Sequence, residues 1–123
     1  MTLGYATQAL VIAPHTDDGE FGCGGTIARL IDEGTEVHYA ALSIAEDSVP
    51  DGMPRDILAT EVAKATQELG IDAKHLQVER FPVRRFPEFR QRILELLVDL
   101  NKRVSPDLVF IPSSTDTHQD HQV

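Results

Sequence analysis

The sequence predicts an α/β fold, a Rossmann-like parallel sheet with helices on both faces that is incomplete in this chain. Three observations predict it. Short apolar runs alternate with longer amphipathic stretches, the pattern of successive βαβ units. The first run, QALVIA, is almost continuously apolar, as suits a strand buried on both faces. Polar loops carrying His and Asp follow the strand ends, where open α/β folds bind their ligands.

The first strand is expected over residues 8–13, stopping at Pro14. A loop with His15, Asp17 and Asp18 follows, and Gly22, Gly24 and Gly25 lead into a helix near residues 26–33. Ile27, Leu30 and Ile31 share a face of that helix, and Gly34 stands where a C-terminal glycine belongs. Residues 36–43 alternate through Val37, Tyr39 and Ala41 and read as the second strand. Residues 44–54 carry Ser, Asp, Pro and Gly and read as a loop. A helix over about residues 55–69 has Leu58, Val62, Ala65 and Leu69 as its stripe and Gly70 as its stop. Residues 75–78 give a third strand, and 81–89, with Pro82 and Pro87, an irregular loop. A helix over about 88–103 places Ile93, Leu96, Leu97 and Leu100 on one face. A fourth strand over 108–111 stops at Pro112. Four strands are few for a doubly covered sheet, and a polar His/Asp cluster is an odd place to finish a domain. Residues 1–123 are therefore expected to form a single domain lacking its C-terminal part.

Eleven Lys and Arg against 20 Asp and Glu leave a formal charge of −9, with 41% hydrophobic and 25% charged residues. That composition is globular. The acidic balance argues against nucleic acid or an anionic membrane surface, which need clustered basic residues. The longest apolar run, residues 9–13, is far short of the ~20 residues of a membrane span. Without a basic stretch and apolar run at its start the chain is expected to be cytoplasmic. Cys23, the single cysteine, forms neither an internal disulfide nor a Cys-rich zinc knot.

The sharpest chemical signal is Pro14-His15-Thr16-Asp17-Asp18, directly after the first strand. Imidazole and carboxylate suit zinc, and His15 with Asp18 can share one ion. The blander reading has Asp17 or Asp18 capping the next helix and His15 in a surface hydrogen bond. The second signal, His118-Gln119-Asp120-His121, follows the fourth strand; alone it reads as a solvated loop. Together the two loops follow strand ends on one edge of a parallel sheet and converge. One His and one carboxylate from the first, with a His from the second, give three ligands and an open position, as in catalytic zinc sites.

Gly22-Cys23-Gly24-Gly25-Thr26 lacks the spacing of a dinucleotide fingerprint, so close packing or a backbone turn explains it better. Cys23 reads as a small buried thiol without a cationic neighbour. Arg84 and Arg85 beside Phe81 and Phe86 are candidates for an anionic or sugar substrate, with a solvated loop the plainer reading. His38 and His75 read as packing histidines, and Asp47, Asp51 and Asp56 as a solvated face and a helix start.

His15-Thr16-Asp17-Asp18, Gly22-Cys23-Gly24-Gly25-Thr26 and His118-Gln119-Asp120-His121 together resemble the signatures of the LmbE-like or PIG-L family of zinc-dependent N-deacetylases. Arg55 and the stretch from Glu61 to Gly70 are similar to that family's Arg/Glu-containing helix. The resemblance covers the whole chain but only the family's amino-terminal part. It implies a hydrolase that removes an N-acetyl group from an N-acetylglucosamine-type sugar or conjugate by a zinc-activated water. It makes His15, Asp18 and His121 the metal ligands and Asp17 the general base. His118 would stabilise the oxyanion or protonate the amine, with Asp120 orienting it. The implied cofactor is Zn²⁺, with Fe²⁺ or another divalent metal as alternatives. Thr16 stands where a proline is common and Gly19 where a glutamate usually follows the aspartates. Val83 stands where many relatives carry an acidic residue.

The partners expected are a small N-acylated sugar or conjugate, no nucleic acid and no membrane span, with a homo-oligomer left open. Two other functions fit parts of the sequence. A non-catalytic nucleotide- or sugar-binding Rossmann-like module would leave the convergent His/Asp loops without a role. A phosphate-ester hydrolase with two metals would want more ligands than these loops supply. Residues 1–123 alone are expected to be poorly active even if the parent is an enzyme.

Overall fold

The computed structural model describes residues 6–123. Residues 1–5, which bear on the expectation of no leader, lie outside the described residues. Strands β1 (Gln8–His15), β2 (Glu36–Ser43), β3 (Leu76–Val78) and β4 (Leu108–Phe110) form one parallel sheet in the order β3-β2-β1-β4. Helices α1 (Asp18–Asp32), α2 (Ile57–Leu69) and α3 (Arg90–Val104) complete the α/β fold.

The pleat divides each strand's side chains between the two faces. Ala9, Val11 and Ala13 of β1 and Val37, Tyr39 and Ala41 of β2 pack against Ile27 and Leu30 of α1 and Val62 of α2. The intervening residues Leu10, Ile12, Ala40 and Leu42 meet Ile93, Leu96, Leu97, Leu100 and Val104 of α3. Helices on both faces explain why β1 reads as a buried run, and why β2, expected as an alternating strand, is buried on both faces over most of its length. Among the described residues no helix is long and apolar enough to cross a membrane.

Boundaries shift where proline and glycine mislead. β1 continues through Pro14 to His15, because its pairing with β2 skips Pro14 and resumes at His15↔Ser43. His15 is thus a strand residue held by a ladder. α1 begins at Asp18, well before the expected residue 26, and contains the glycine cluster. Its break is at Cys23 (φ −145°, ψ 23°), inside the glycines, so they mark a kink within a helix. A 3₁₀ turn over Phe86–Phe89 occupies the segment expected to be irregular and leads directly into α3. The predicted stops are in place: Gly34 (φ 93°) follows α1 and Gly70 (φ 95°) closes α2. All four strands run the same way, so the ends of β1 and β2 and the segment after β4 meet along one edge.

Candidate metal centre

His15, the last residue of β1, is fixed at both ring nitrogens. Its Nε2 lies 2.8 Å from Asp120 Oδ2, and its Nδ1 lies 3.4 Å from Asp18 Oδ2. The same Asp18 oxygen accepts the His15 backbone N–H at 2.8 Å, folding the start of α1 back onto the strand end. His121 Nε2 stands 3.1 Å from Asp18 Oδ2. His15, Asp18 and His121 are therefore brought together from segments more than a hundred residues apart.

This donor set fits a metal ion. His121 Nδ1 lies 2.8 Å from Asp116 Oδ2, which makes Nδ1 the protonated nitrogen and leaves a lone pair on Nε2. That Nε2 is buried and among the described residues has no hydrogen-bond partner, although a carboxylate oxygen is adjacent. Two lone-pair-bearing atoms facing one another in a buried place are what a cation satisfies. An ion about 2.0–2.2 Å from each of several tetrahedral donors spaces them roughly 3.4 Å apart. The 3.1 and 3.4 Å separations about Asp18 Oδ2 are close to that value.

Two carboxylates support the histidines, as is usual behind metal-ligating imidazoles. Asp116 holds His121 and also accepts the His118 backbone N–H at 2.9 Å. The N–H of His118 and the ring of His121 hold the Asp116 carboxyl below its ordinary value, against a smaller desolvation. Asp120 is buried, and its Oδ1 accepts the Phe86 N–H at 3.1 Å while Oδ2 meets the Arg84 N–H at 2.6 Å as well as His15. Burial pushes the Asp120 carboxyl up, but hydrogen bonds from His15, Arg84 and Phe86 together outweigh it and hold the carboxyl low. Arg84 reaches this position in the left-handed region (φ 67°), with its guanidinium on Ser48 Oγ.

Asp17 and His118 lie beside these three residues. Asp17 is the residue before α1, but its side chain makes no capping bond, so the capping explanation for it does not apply. It shares a cleft of about 280 Å³ with His15, His118, Thr16 and Arg84. The His118 ring centroid is 4.8 Å from that of His15 and 4.7 Å from that of His121. The three rings have ligand atoms within 4.8 Å of one another. His118 Nδ1, however, accepts the Asp120 backbone N–H at 3.1 Å, so the neutral ring carries its proton on Nε2 and is a donor.

The expected partnership of Asp120 with His118 takes a different form. The carboxylate binds His15, and only the backbone N–H of Asp120 reaches His118. Asp116 is a supporting residue that the motifs do not single out; its signal is an aspartate two residues before His118, the spacing of an Asx turn. Strand alternation marks Tyr39 only as core, yet its hydroxyl donates to the Thr16 carbonyl at 2.8 Å and accepts the Gly19 N–H at 3.1 Å. Arg55 pairs with Asp47 at 3.0 Å. Cys23 Sγ donates to the Gly19 carbonyl, and burial raises its pKa, as expected of an inert thiol.

The sequence profile of the family described as "PIG-L: GlcNAc-PI de-N-acetylase" matches residues 10–123. Among solved structures, the conserved protein TT1542 from Thermus thermophilus superposes with a TM-score of 0.76 at 38% identity, over 93% of this chain and 50% of that one. The N,N'-diacetylchitobiose deacetylase from Pyrococcus horikoshii gives a TM-score of 0.79 at 28% identity, over 95% of this chain and 46% of that one. A 4-oxalmesaconate hydratase from Pseudomonas putida is 26% identical over 93% of this chain and 47% of its own length. The chain spans about half the length of each of these relatives.

Proposed function

This chain belongs to the PIG-L family of GlcNAc-PI de-N-acetylases, and on that premise we propose that its His/Asp centre serves hydrolysis of an N-acetyl amide on a glucosamine-type sugar or conjugate. The observation that carries this reading is the orphaned Nε2 of His121 beside Asp18 Oδ2. His15, Asp18 and His121 would hold one divalent ion, with Zn²⁺ the best match to two imidazoles and a carboxylate. Such an ion supplies Lewis acidity to the acyl carbonyl and acidifies a water molecule.

The chain's own residues supply the rest. Asp17, uncommitted to a capping bond, accepts a proton from water as the new C–O bond forms. His118 Nε2–H donates to the carbonyl oxygen as it gains charge, and the Asp120 N–H on Nδ1 maintains that tautomer. When the C–N bond breaks, the Asp17 carboxyl returns its proton to the departing nitrogen, leaving an amine and acetate. His118 suits that delivery less well, because a proton on Nδ1 would displace the Asp120 N–H.

The hydratase relative favours a second reading, in which the same base and donor direct water onto a carbon–carbon double bond. Release of free amine and acetate from N-acetylglucosamine or diacetylchitobiose, measured with metal-loaded protein, tests the first reading. Asp17→Asn should keep the ion of the His15/Asp18/His121 centre and lose turnover, and Asp18→Ala should lose turnover together with the ion of that centre. Turnover that survives Asp17→Asn would refute the base assignment. Hydration of an unsaturated acid without amine release would replace the deacetylase reading with the second.

A further inference from the structure

At the opposite end of the sheet, Glu36, His38 and His75 form a second His/carboxylate cluster that the family reading does not use. Glu36 and His38 are two apart on β2 and so share a face of the sheet. β2 pairs with β3 in the register Tyr39↔Leu76, which sets His75, the residue before β3, beside His38. The ring centroids are 4.2 Å apart. Both rings direct Nε2 at the same Glu36 oxygen, His38 at 2.9 Å and His75 at 3.0 Å. The three ligand atoms all lie within 4.8 Å of one another.

From this geometry we propose that Glu36, His38 and His75 bind a second divalent transition-metal ion, of the Zn²⁺ class, independent of the His15/Asp18/His121 centre. Two imidazoles and a carboxylate are a recognised zinc ligand set, with water filling the remaining position. Ca²⁺ and Mg²⁺ would want more oxygen donors than this cluster has. A tetrahedral ion spaces its donors by roughly 3.4 Å, so the carboxylate has to withdraw by about half an ångström. Glu36 has the freedom to do so: its side chain is 45% exposed, against 20% for His38 and 16% for His75. His38 is held by β2 and His75 by the turn that leads into β3, and the carboxylate is the adjustable member.

Lys74 and Arg103, which line a hollow with His38 and His75, are engaged elsewhere. Lys74 Nζ lies 3.8 Å from Asp72, and Arg103 bonds Asp99 at 2.8 Å and Gln77 at 2.7 Å. Among the described residues the Glu36 carboxylate is thus left to the two imidazoles.

The test is zinc binding by the full chain carrying Asp18→Ala, which disables the first centre. Calorimetric titration with ZnCl₂, with elemental analysis after dialysis, is expected to give one equivalent. Addition of His75→Gln or of Glu36→Gln should each abolish it; the exposed Glu36 keeps the test open if His75→Gln fails to fold. In parallel, zinc added to the unsubstituted chain should shift the imidazole NMR signals of His38 and His75. The proposal is overturned if the Asp18→Ala chain binds no zinc, or if its zinc survives both substitutions. It is equally overturned if those two imidazoles do not respond.

Discussion

Tyr39 occupies the space that a side chain at Gly19 would need. A Cβ built on Gly19 would fall 2.5 Å from Tyr39 Cε2 and 2.6 Å from its hydroxyl oxygen. The ring is fully buried and cannot swing away. Its hydroxyl bonds the Thr16 carbonyl on one side of the Asp17-Asp18 pair and the Gly19 N–H on the other. Where the family resemblance leads one to expect a glutamate, this chain has a glycine backed by a phenol, and the phenol fixes the loop that carries Asp18.

Gly19→Ala should therefore destabilise the protein by about 1–3 kcal/mol, the usual cost of overpacking. Tyr39→Ala should also destabilise it, by removing a buried ring. The double variant should lose less than the two single losses added, because each change relieves the other. Urea unfolding of the four proteins measures the coupling. Strict additivity would mean that the backbone yields without involving Tyr39.

Asp120→Asn keeps shape and removes two-oxygen acceptance. The carboxylate serves the Arg84 N–H, the Phe86 N–H and His15 Nε2. An amide has one oxygen, so its NH₂ group must face a donor and leave a buried group unsatisfied. We expect a loss of about 1–3 kcal/mol by chemical denaturation. We also expect weaker metal binding, since His15 loses the partner that sets its tautomer.

The extent to which this molecule is legible in its sequence follows from the range of each contact. β1 is readable because it is buried on both faces and β2 through the alternation of Val37, Tyr39 and Ala41, and the convergence of His15, Asp18 and His121 follows from strand ends on one parallel edge. The start of α1 is not, because Gly22, Gly24 and Gly25 read as a loop and no Asp17 capping bond marks the helix start. The Asp120–His15 bond spans 105 residues and depends on how the last loop settles. The Glu36/His38/His75 cluster needs the β2–β3 register, which no local pattern encodes.

Acid should weaken the fold partly through Asp107, a residue at the opposite end of the sheet from His15. Its carboxylate accepts the Thr7 N–H at 2.9 Å and the Gln8 N–H at 3.1 Å, tying the segment before β1 to the one before β4. Those bonds hold its pKa below the ordinary aspartate value of 3.8. Because the unfolded chain takes up this proton more readily, the stabilisation is complete above the ordinary value. It is lost as pH falls through the lower folded value. Urea midpoints from about pH 6 to pH 3 should show Asp107→Asn less stable at the upper end, with the gap to the parent closing towards the lower. A gap that stays constant with pH would show that the carboxylate's charge contributes nothing.

The role of Asp116 can be separated from that of the histidine it holds. It contacts His121 through Nδ1, on the far side of the ring from the lone pair facing Asp18. Asp116→Asn retains an oxygen acceptor for His121 Nδ1–H but loses the charge that makes Nε2 a stronger donor. Zinc affinity, measured against a competing chelator, should fall about 10- to 100-fold, the usual effect of removing such a partner. His121→Ala should abolish binding at this centre. Zinc should also stabilise the parent against unfolding, by about 2.7 kcal/mol at a hundredfold excess over Kd. That stabilisation should shrink in Asp116→Asn in proportion to the logarithm of the lost affinity. An unchanged affinity would make Asp116 a turn-forming residue that bonds the His118 N–H and nothing more.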